Sequence, residues 1–401
     1  MTEKAALKLK RLQDLTFKGK RVLVRVDYNV PMKGAKIEDN TRIRETLKTL
    51  EALIAGGAKI VLIAHLGRPK GKPEPKYSLK PVAEELARLL KKPVAFAADC
   101  VGPVADKAVA ALKPGDVLLL ENLRFHAEEE ANDPAFAKAL AKNGDLFIQD
   151  AFGVLHRAHA STTGVTRYLP GAIGFLIQRE LEFLDRSMGN PARPFLAIIG
   201  GAKVSDKLGV LDKLLDRVDV LLIGGGMSYT FLAAQGISIG KSLLQKDQIE
   251  AAKAVIEKGY NKKVEILLPA DHAAVREIKP DAAVTVTQAM SIPPDLIGVD
   301  IGPHTIEFFQ EHIAKAKTIF WNGPMGIFEI PAFSKGSFAV AEAMAEATKQ
   351  GATTIVGGGD SLSVVAKAKL AGKMSHCSTG GGASLELLEG KVLPGLAALA
   401  S

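Results

Sequence analysis

A chain of 401 residues is longer than one hydrophobic core comfortably holds, so two domains or one large one are expected. Apolar residues at 47% and charged residues at 24% exclude wholesale disorder. Lys plus Arg exceed Asp plus Glu by 52 − 44 = 8, which points to an anionic partner, with nucleic acid and phosphorylated metabolites as the candidates.

Nucleic acid is the weaker candidate, because the basic residues are spread along the chain and aromatics are only 5%, leaving neither basic tails nor stacking platforms. At the N-terminus, residues 1–8 contain no apolar leader core, and no apolar run reaches membrane-spanning length. No membrane association and a cytoplasmic location are therefore expected. From there, short apolar runs alternate with amphipathic stretches. The predicted strands are Arg21–Val26, Lys59–His65, Pro93–Ala97, Asp116–Leu120 and Asp145–Gln149, with helices over Thr41–Ala55, Lys80–Leu90 and Pro103–Leu112. Leu169-Pro170-Gly171 then precedes a helical pattern, Phe175–Met188, which ends at Gly189–Pro194 and reads as a linker helix. Beyond it the scheme repeats, with strands Phe195–Ile199, Val218–Ile223, Val264–Leu268, Thr318–Trp321 and Thr353–Val356. Helices are predicted over Ser205–Asp216, Asp247–Glu257, Pro303–Lys317 and Lys335–Lys349.

This alternation predicts an α/β protein of two domains, each a parallel β-sheet flanked by helices in a Rossmann-like three-layer arrangement. The boundaries expected are 1–174, a linker at 175–190, and 191–390, with a terminal segment at 391–401. Cys100 and Cys377 stand far apart, in a spacing that suits neither a disulfide scaffold nor a zinc site, in keeping with a reducing compartment.

Ligands of open parallel sheets lie beyond the carboxyl ends of the strands. In the first half those positions carry Asp27 and Asn29, then His65 and Arg68, then Arg124, and after the fifth strand the run Asp150–Arg157. Three strand-end loops each delivering an arginine read as an anion pocket, because a guanidinium donates in pairs and stays charged; scattered surface charge is the plainer alternative. His156 and His159 lack a third ligand nearby and suit packing or orienting roles better than metal binding.

In the second half the same positions carry glycine: Gly200-Gly201, Gly224-Gly225-Gly226, Gly357-Gly358-Gly359 and Gly380-Gly381-Gly382. Glycine lets a phosphate or purine approach the backbone. Lys203 and Lys207, four apart, are expected on one face of an opening helical turn, and Asp360 among phosphate-cradling amides makes sense chiefly as a Mg²⁺ ligand. Gly236–Ser242 imitates a P-loop but has three residues between its glycines and follows a helical pattern. The runs from Gly357 and Gly380 imitate a dinucleotide fingerprint, yet each has Leu where its last Gly or Ala belongs.

The segments Arg25–Pro31, His65–Pro69, Glu121–His126, Asp150–Gly153, Gly200–Val204, Trp321–Pro324, Gly357–Asp360 and Ser378–Gly390 together resemble the phosphoglycerate kinase family in family order over nearly the whole chain. Tyr28 and Ser361 stand where the family commonly has Phe and often Thr. The resemblance implies reversible transfer between 1,3-bisphosphoglycerate with MgADP and 3-phosphoglycerate with MgATP, by a cytoplasmic monomer. It further implies that Asp27, Asn29 and Arg42 hold the hydroxyl and carboxyl end of the acid, and that His65, Arg68, Arg124 and Arg157 hold its phosphate. Lys207, Asn322 and Gly358, Gly359, Asp360 and Ser361 would hold nucleotide phosphates, with Asp360 on Mg²⁺. Glu329 would bond the ribose, while Gly201, Gly225, Gly298 and Pro324 would border the nucleoside. The family's fold also sends the terminal segment back to the first domain. A carboxylate acceptor, with a pKa near ~4, carries no proton to remove, so no general base is expected. In-line positioning, closure of the domains, and charge neutralisation by Lys203, Arg42 and the amides at Gly381 and Gly382 would supply catalysis. The rivals are another two-lobed carboxylate kinase and a catalytically silent binding protein on the same fold.

Overall fold

Aliphatic runs without a polar face are stable only in a sheet covered on both sides. The structure, a computed structural model, describes residues 8–400, with the backbone alone for residues 185–188. The chain divides into two compact units, Met1–Glu182 with Val392–Ser401, and Phe183–Lys391. The boundary falls inside the helix Phe175–Gly189. Among the described residues, no helix is long and apolar enough to cross a membrane.

In the first unit β1 (Arg21–Val26) is followed by a ribbon of β2 (Met32–Lys33) and β3 (Lys36–Ile37), then β4 (Lys59–Ile63), β5 (Val94–Ala97), β6 (Val117–Leu120), β7 (Leu146–Asp150) and β8 (Gly171–Ile173). Six of them form one sheet in the order β5-β6-β4-β1-β7-β8, with every pairing parallel. Val22, Val24, Ile60, Leu62, Leu119 and Ile148 pack beneath Leu50, Leu53 and Leu86 of the covering helices in one apolar cluster. Because β4 and β7 flank β1, the strand order turns at β1, and the loops beyond its carboxyl end border a natural crevice.

Two local expectations fail here for physical reasons. The single helix predicted over Thr41–Ala55 is two, Thr41–Glu45 and Leu47–Ala55. At the break the buried Thr46 hydroxyl lies 2.8 Å from the Ile43 carbonyl and 2.9 Å from Tyr28 Oη, so a side chain competes with the helical ladder. Leu169-Pro170-Gly171 is more than a breaker, since Gly171 opens β8, a strand too short to show a period. Asp150 at the end of β7 is buried, and its Oδ1 accepts from Leu176 N at 3.0 Å, in the first turn of the helix Phe175–Gly189. Burial pushes this carboxyl up to about 7.

The second unit contains β9 (Phe195–Ile199), β10 (Val220–Ile223), β11 (Glu265–Leu267), β12 (His272–Val275), β13 (Thr285–Val286), β14 (Ile297–Ile301), β15 (Thr318–Asn322), β16 (Thr353–Gly357) and β17 (His376–Cys377). Its parallel sheet runs β11-β10-β9-β15-β16-β17, so the order reverses between β9 and β15. Leu196, Ile198, Ile319, Trp321 and Val356 pack with Phe309, Met344 and Val364 from its helices. Both units therefore have the helix-flanked parallel architecture expected. The antiparallel sheet β13-β12-β14 was not anticipated; its edge strand β13 is two residues long and exposed, too short to show a period.

Candidate functional site

In the first unit the strand-end residues converge. His65, just beyond β4, is buried, and its Nδ1 lies 3.1 Å from an Arg25 guanidinium nitrogen. Burial, and then the guanidinium groups of Arg25, Arg124, Arg157 and Arg42, hold its pKa well below the ordinary histidine value. Arg42 donates to Asp27 Oδ2 at 2.9 Å and to the Asn29 carbonyl at 3.2 Å. Asn29 Oδ1 in turn accepts from Gly67 N at 2.8 Å. Arg124 donates to the Gly67 carbonyl at 2.7 Å and approaches Glu130 at 3.4 Å. Arg157 Nε donates to His156 Nε2 at 3.2 Å, while Arg68 stays exposed. Asp27, Asn29, Arg42, His65, Arg124 and Arg157 are thus linked through named contacts or through the field at His65. Arg68 belongs to the cluster only through its charge, which lowers the pKa of Arg124 after burial and the nearer charges have acted.

Sequence reasoning assigned no role to Arg25, whose side chain is 1% exposed within β1. Its Nε donates to Ser161 Oγ at 2.9 Å, and it also bonds the Val26 carbonyl. Ser161 donates through both N (2.9 Å) and Oγ (2.5 Å) to Glu129, a carboxylate that is 1% exposed. Burial raises the Glu129 pKa, and Arg25 and Ser161 oppose the rise. An arginine in an otherwise apolar strand was the available signal. A charge buried there needs an opposite charge, and Glu129 supplies it. His159 lies 3.9 Å from Glu129, and its pKa is held down to about 4, mainly by burial, which agrees with an orienting role.

In the second unit the first two glycine clusters contribute Gly201 and Gly225 to a cavity of about 550 Å³, bordered also by Gly298, Pro324, Glu329 and Asp360, while the clusters at 357–359 and 380–382 lie outside its lining. Gly200 N donates to the Asn322 carbonyl at 2.9 Å and Gly201 N to the Pro324 carbonyl at 3.1 Å, so the wall is built where the strand order reverses. Glycine serves this wall both by conformation and by space. Gly225 has φ +67°, and a Cβ at Gly298 would lie 2.4 Å from Tyr229 Oη. Tyr229, Leu243, Ile297 and Phe328 give the cavity an apolar lining that sequence reasoning did not identify.

Beside the cavity Lys207 Nζ donates to Asn322 Oδ1. Burial lowers the Lys207 pKa, against the charges of Asp206 and Asp360. The buried Asn322 Nδ2 has no acceptor, and it lies 3.0 Å from where a side chain on Gly358 would begin. Gly358 has φ +87° and opens the helix Gly359–Lys367, and Ser361 Oγ accepts from Gly323 N at 2.6 Å. Lys207, Asn322 and the loop 358–361 are thereby brought together. Lys203 is not with them. The helix predicted from Ser205 starts at Leu208, so Lys203 lies in irregular backbone and Lys207 ends the turn before the helix, with no shared helical face, and Lys203 is exposed outside the cavity wall. Gly381 (φ +50°) and Gly382 stand at the start of the helix Gly382–Leu388, after β17. The P-loop imitation follows the helix Met227–Ala234, as its rejection requires. Even so, Lys241 lines the cavity and Ser242 Oγ accepts from Gly298 N at 2.9 Å.

A family profile described as phosphoglycerate kinase matches residues 12–391. The phosphoglycerate kinase of Elusimicrobium minutum (strain Pei191) is 56% identical over 393 residues, covering 98% of each chain. That of Chloroherpeton thalassium (strain ATCC 35110 / GB-78) is 52% identical over 396 residues, covering 98% of this chain and 100% of the other. The solved structure of phosphoglycerate kinase from Coxiella burnetii is similar with a TM-score of 0.85 at 42% identity, covering 98% of both chains.

Proposed function

The chain belongs to the phosphoglycerate kinase family, and on that premise we propose how its residues divide the work. The activity is the phosphoglycerate kinase reaction of glycolysis, with ATP or ADP and 3-phosphoglycerate or 1,3-bisphosphoglycerate as substrates. The assignment of residues rests on one contrast: His65 lies among four guanidinium groups in the first unit, and a glycine-bordered cavity lies in the second.

In this proposal Asp27, Asn29 and Arg42 hold the hydroxyl and carboxyl end of the acid. His65, Arg68, Arg124 and Arg157 hold its phosphate through charge-assisted bonds. The nucleoside enters the cavity between Gly201, Gly225, Gly298 and Pro324, with Glu329 on the ribose. Lys207, the unpaired Asn322 amide and the loop 358–361 take the phosphates. Asp360 is an exposed hard-oxygen donor on the cavity border, which fits Mg²⁺. Bound with the nucleotide, the ion offsets phosphate charge.

The acceptor carboxylate is already ionised near pH 7, so the protein has no proton to remove. Its residues align the acceptor with the phosphorus and neutralise charge on the moving group, a task for Lys203, Arg42 and the amides of Gly381 and Gly382. Ligands held by separate units must be brought together, so closure on binding both is part of the proposal. Small-angle scattering checks it: the radius of gyration should fall with both ligands and change little with either alone. For the reaction itself, a coupled assay of the purified chain with 3-phosphoglycerate and MgATP must show ADP formation that depends on the acid. Turnover without the acid, or none with it, rejects the assignment.

A further inference from the structure

We propose that Asp99, Cys100 and His126 form a site for a thiophilic divalent transition metal, zinc above all. β5 and β6 are neighbouring parallel strands. The loop after β5 carries Asp99 and Cys100, and the turn after β6 ends at His126. One ligand atom from each residue lies within 4.8 Å of the other two. His126 Nε2 and Asp99 Oδ1 are 2.8 Å apart.

Tetrahedral zinc, with bonds of about 2.0–2.3 Å, sets its ligands roughly 3.3–3.7 Å apart. The imidazole and carboxylate therefore open slightly and the thiol moves in, shifts that two adjacent loops can absorb. The scaffold is otherwise held. Cys100 N donates to Asp99 Oδ1 at 2.7 Å, the Cys100 carbonyl accepts from the buried Asn143 Nδ2 at 3.0 Å, and the His126 ring packs 5.1 Å from that of Phe136. Cys100 is 1% exposed, whereas the side chains of Asp99 and His126 are 40% and 28% exposed, which leaves an entry path and room for water as a fourth ligand.

The donor set of one sulfur, one nitrogen and one oxygen suits zinc or cobalt, while magnesium and calcium take oxygen. The carboxylates of Asp99, Glu129 and Glu121 all act on the Cys100 thiol electrostatically. Those same charges favour a cation. On binding, the S–H bond breaks, its proton passes to solvent, and the electron pair left on sulfur forms the bond to the metal. The spacing of the two cysteines could not reveal the site, because the third ligand lies on a different strand-end loop.

The test titrates Co²⁺ into the full-length, chelator-treated protein without nucleotide. One equivalent should bind with a near-ultraviolet sulfur-to-cobalt charge-transfer band, and Zn²⁺ should abolish the band. Cys377→Ser should retain the band and Cys100→Ser should lose it. His126→Asn changes a part-exposed ligand without touching the buried thiol, and should weaken Zn²⁺ binding by at least about 10-fold. No band in the native chain, a band that survives Cys100→Ser, or unchanged Zn²⁺ affinity in His126→Asn would each overturn the proposal. If Cys100→Ser fails to fold by circular dichroism, His126→Asn alone decides.

Discussion

The two units present anion-binding surfaces made of opposite materials. The first uses guanidinium side chains clustered around a neutral, buried histidine. The second uses backbone at glycines, with one half-buried lysine and one unpaired amide beside them. The difference has structural consequences. Side-chain charge brought under cover needs its own support, here Ser161 and Glu129 behind Arg25. Backbone amides carry no net charge and need only space and the right φ, as at Gly225 and Gly358.

The contrast breaks most visibly at Arg25. Arg25→Met removes the largest opposing charge acting on the buried Glu129, so we expect a loss of about 3–5 kcal/mol in urea unfolding. Glu129→Gln/Arg25→Met should recover much of that loss. If the single variant is as stable as the native chain, the support network is not what holds the first site.

Next in size is Lys203, the cation that the structure leaves outside the cavity. Lys203→Ala should lower kcat by roughly 10²–10³ with little change in either KM, if its ammonium meets the phosphoryl group only in the transition state. A rise in KM for MgATP at unchanged kcat would assign it to ground-state nucleotide binding instead.

A smaller effect separates the ligands. Arg157→Ala should weaken 3-phosphoglycerate binding by about 1.5–3 kcal/mol in calorimetry and leave MgADP binding nearly unchanged. The reverse result would exchange the roles of the two units.

The smallest effect is one of pH. His65 is held below the unfolded value of ~6.5, so between the two values the unfolded chain binds more protons than the folded one. Its contribution to stability is complete above about pH 6.5 and is lost as pH falls through the lowered value, by at most ~1.4 kcal/mol per pH unit. His65→Gln should remove that component of the slope from urea midpoints measured between pH 8 and 5. His272 in the second unit is held down to about 4, with burial the largest cause. Added 3-phosphoglycerate should therefore raise the His65 value in an NMR titration and leave His272 where it is.

Local order along the chain sufficed for much of the architecture. Apolar runs of strand length alternating with amphipathic helices specify parallel sheets, because such runs are stable only when covered on both faces. Arginine or glycine at strand ends marks a ligand-facing edge for the same reason. These signals involve neighbours a few residues apart, so they can be read from sequence. The break at Thr46 and the helix start at Leu208, which takes Lys203 and Lys207 off a common helical face, depend on the surrounding structure instead. So do the pairings that join Arg25 to Ser161, 136 residues away, Lys207 to Asn322, 115 away, and His126 to Asp99, 27 away. No periodicity encodes these partnerships. Burial makes an unpaired polar group expensive, and only the folded chain shows which distant residue satisfies it.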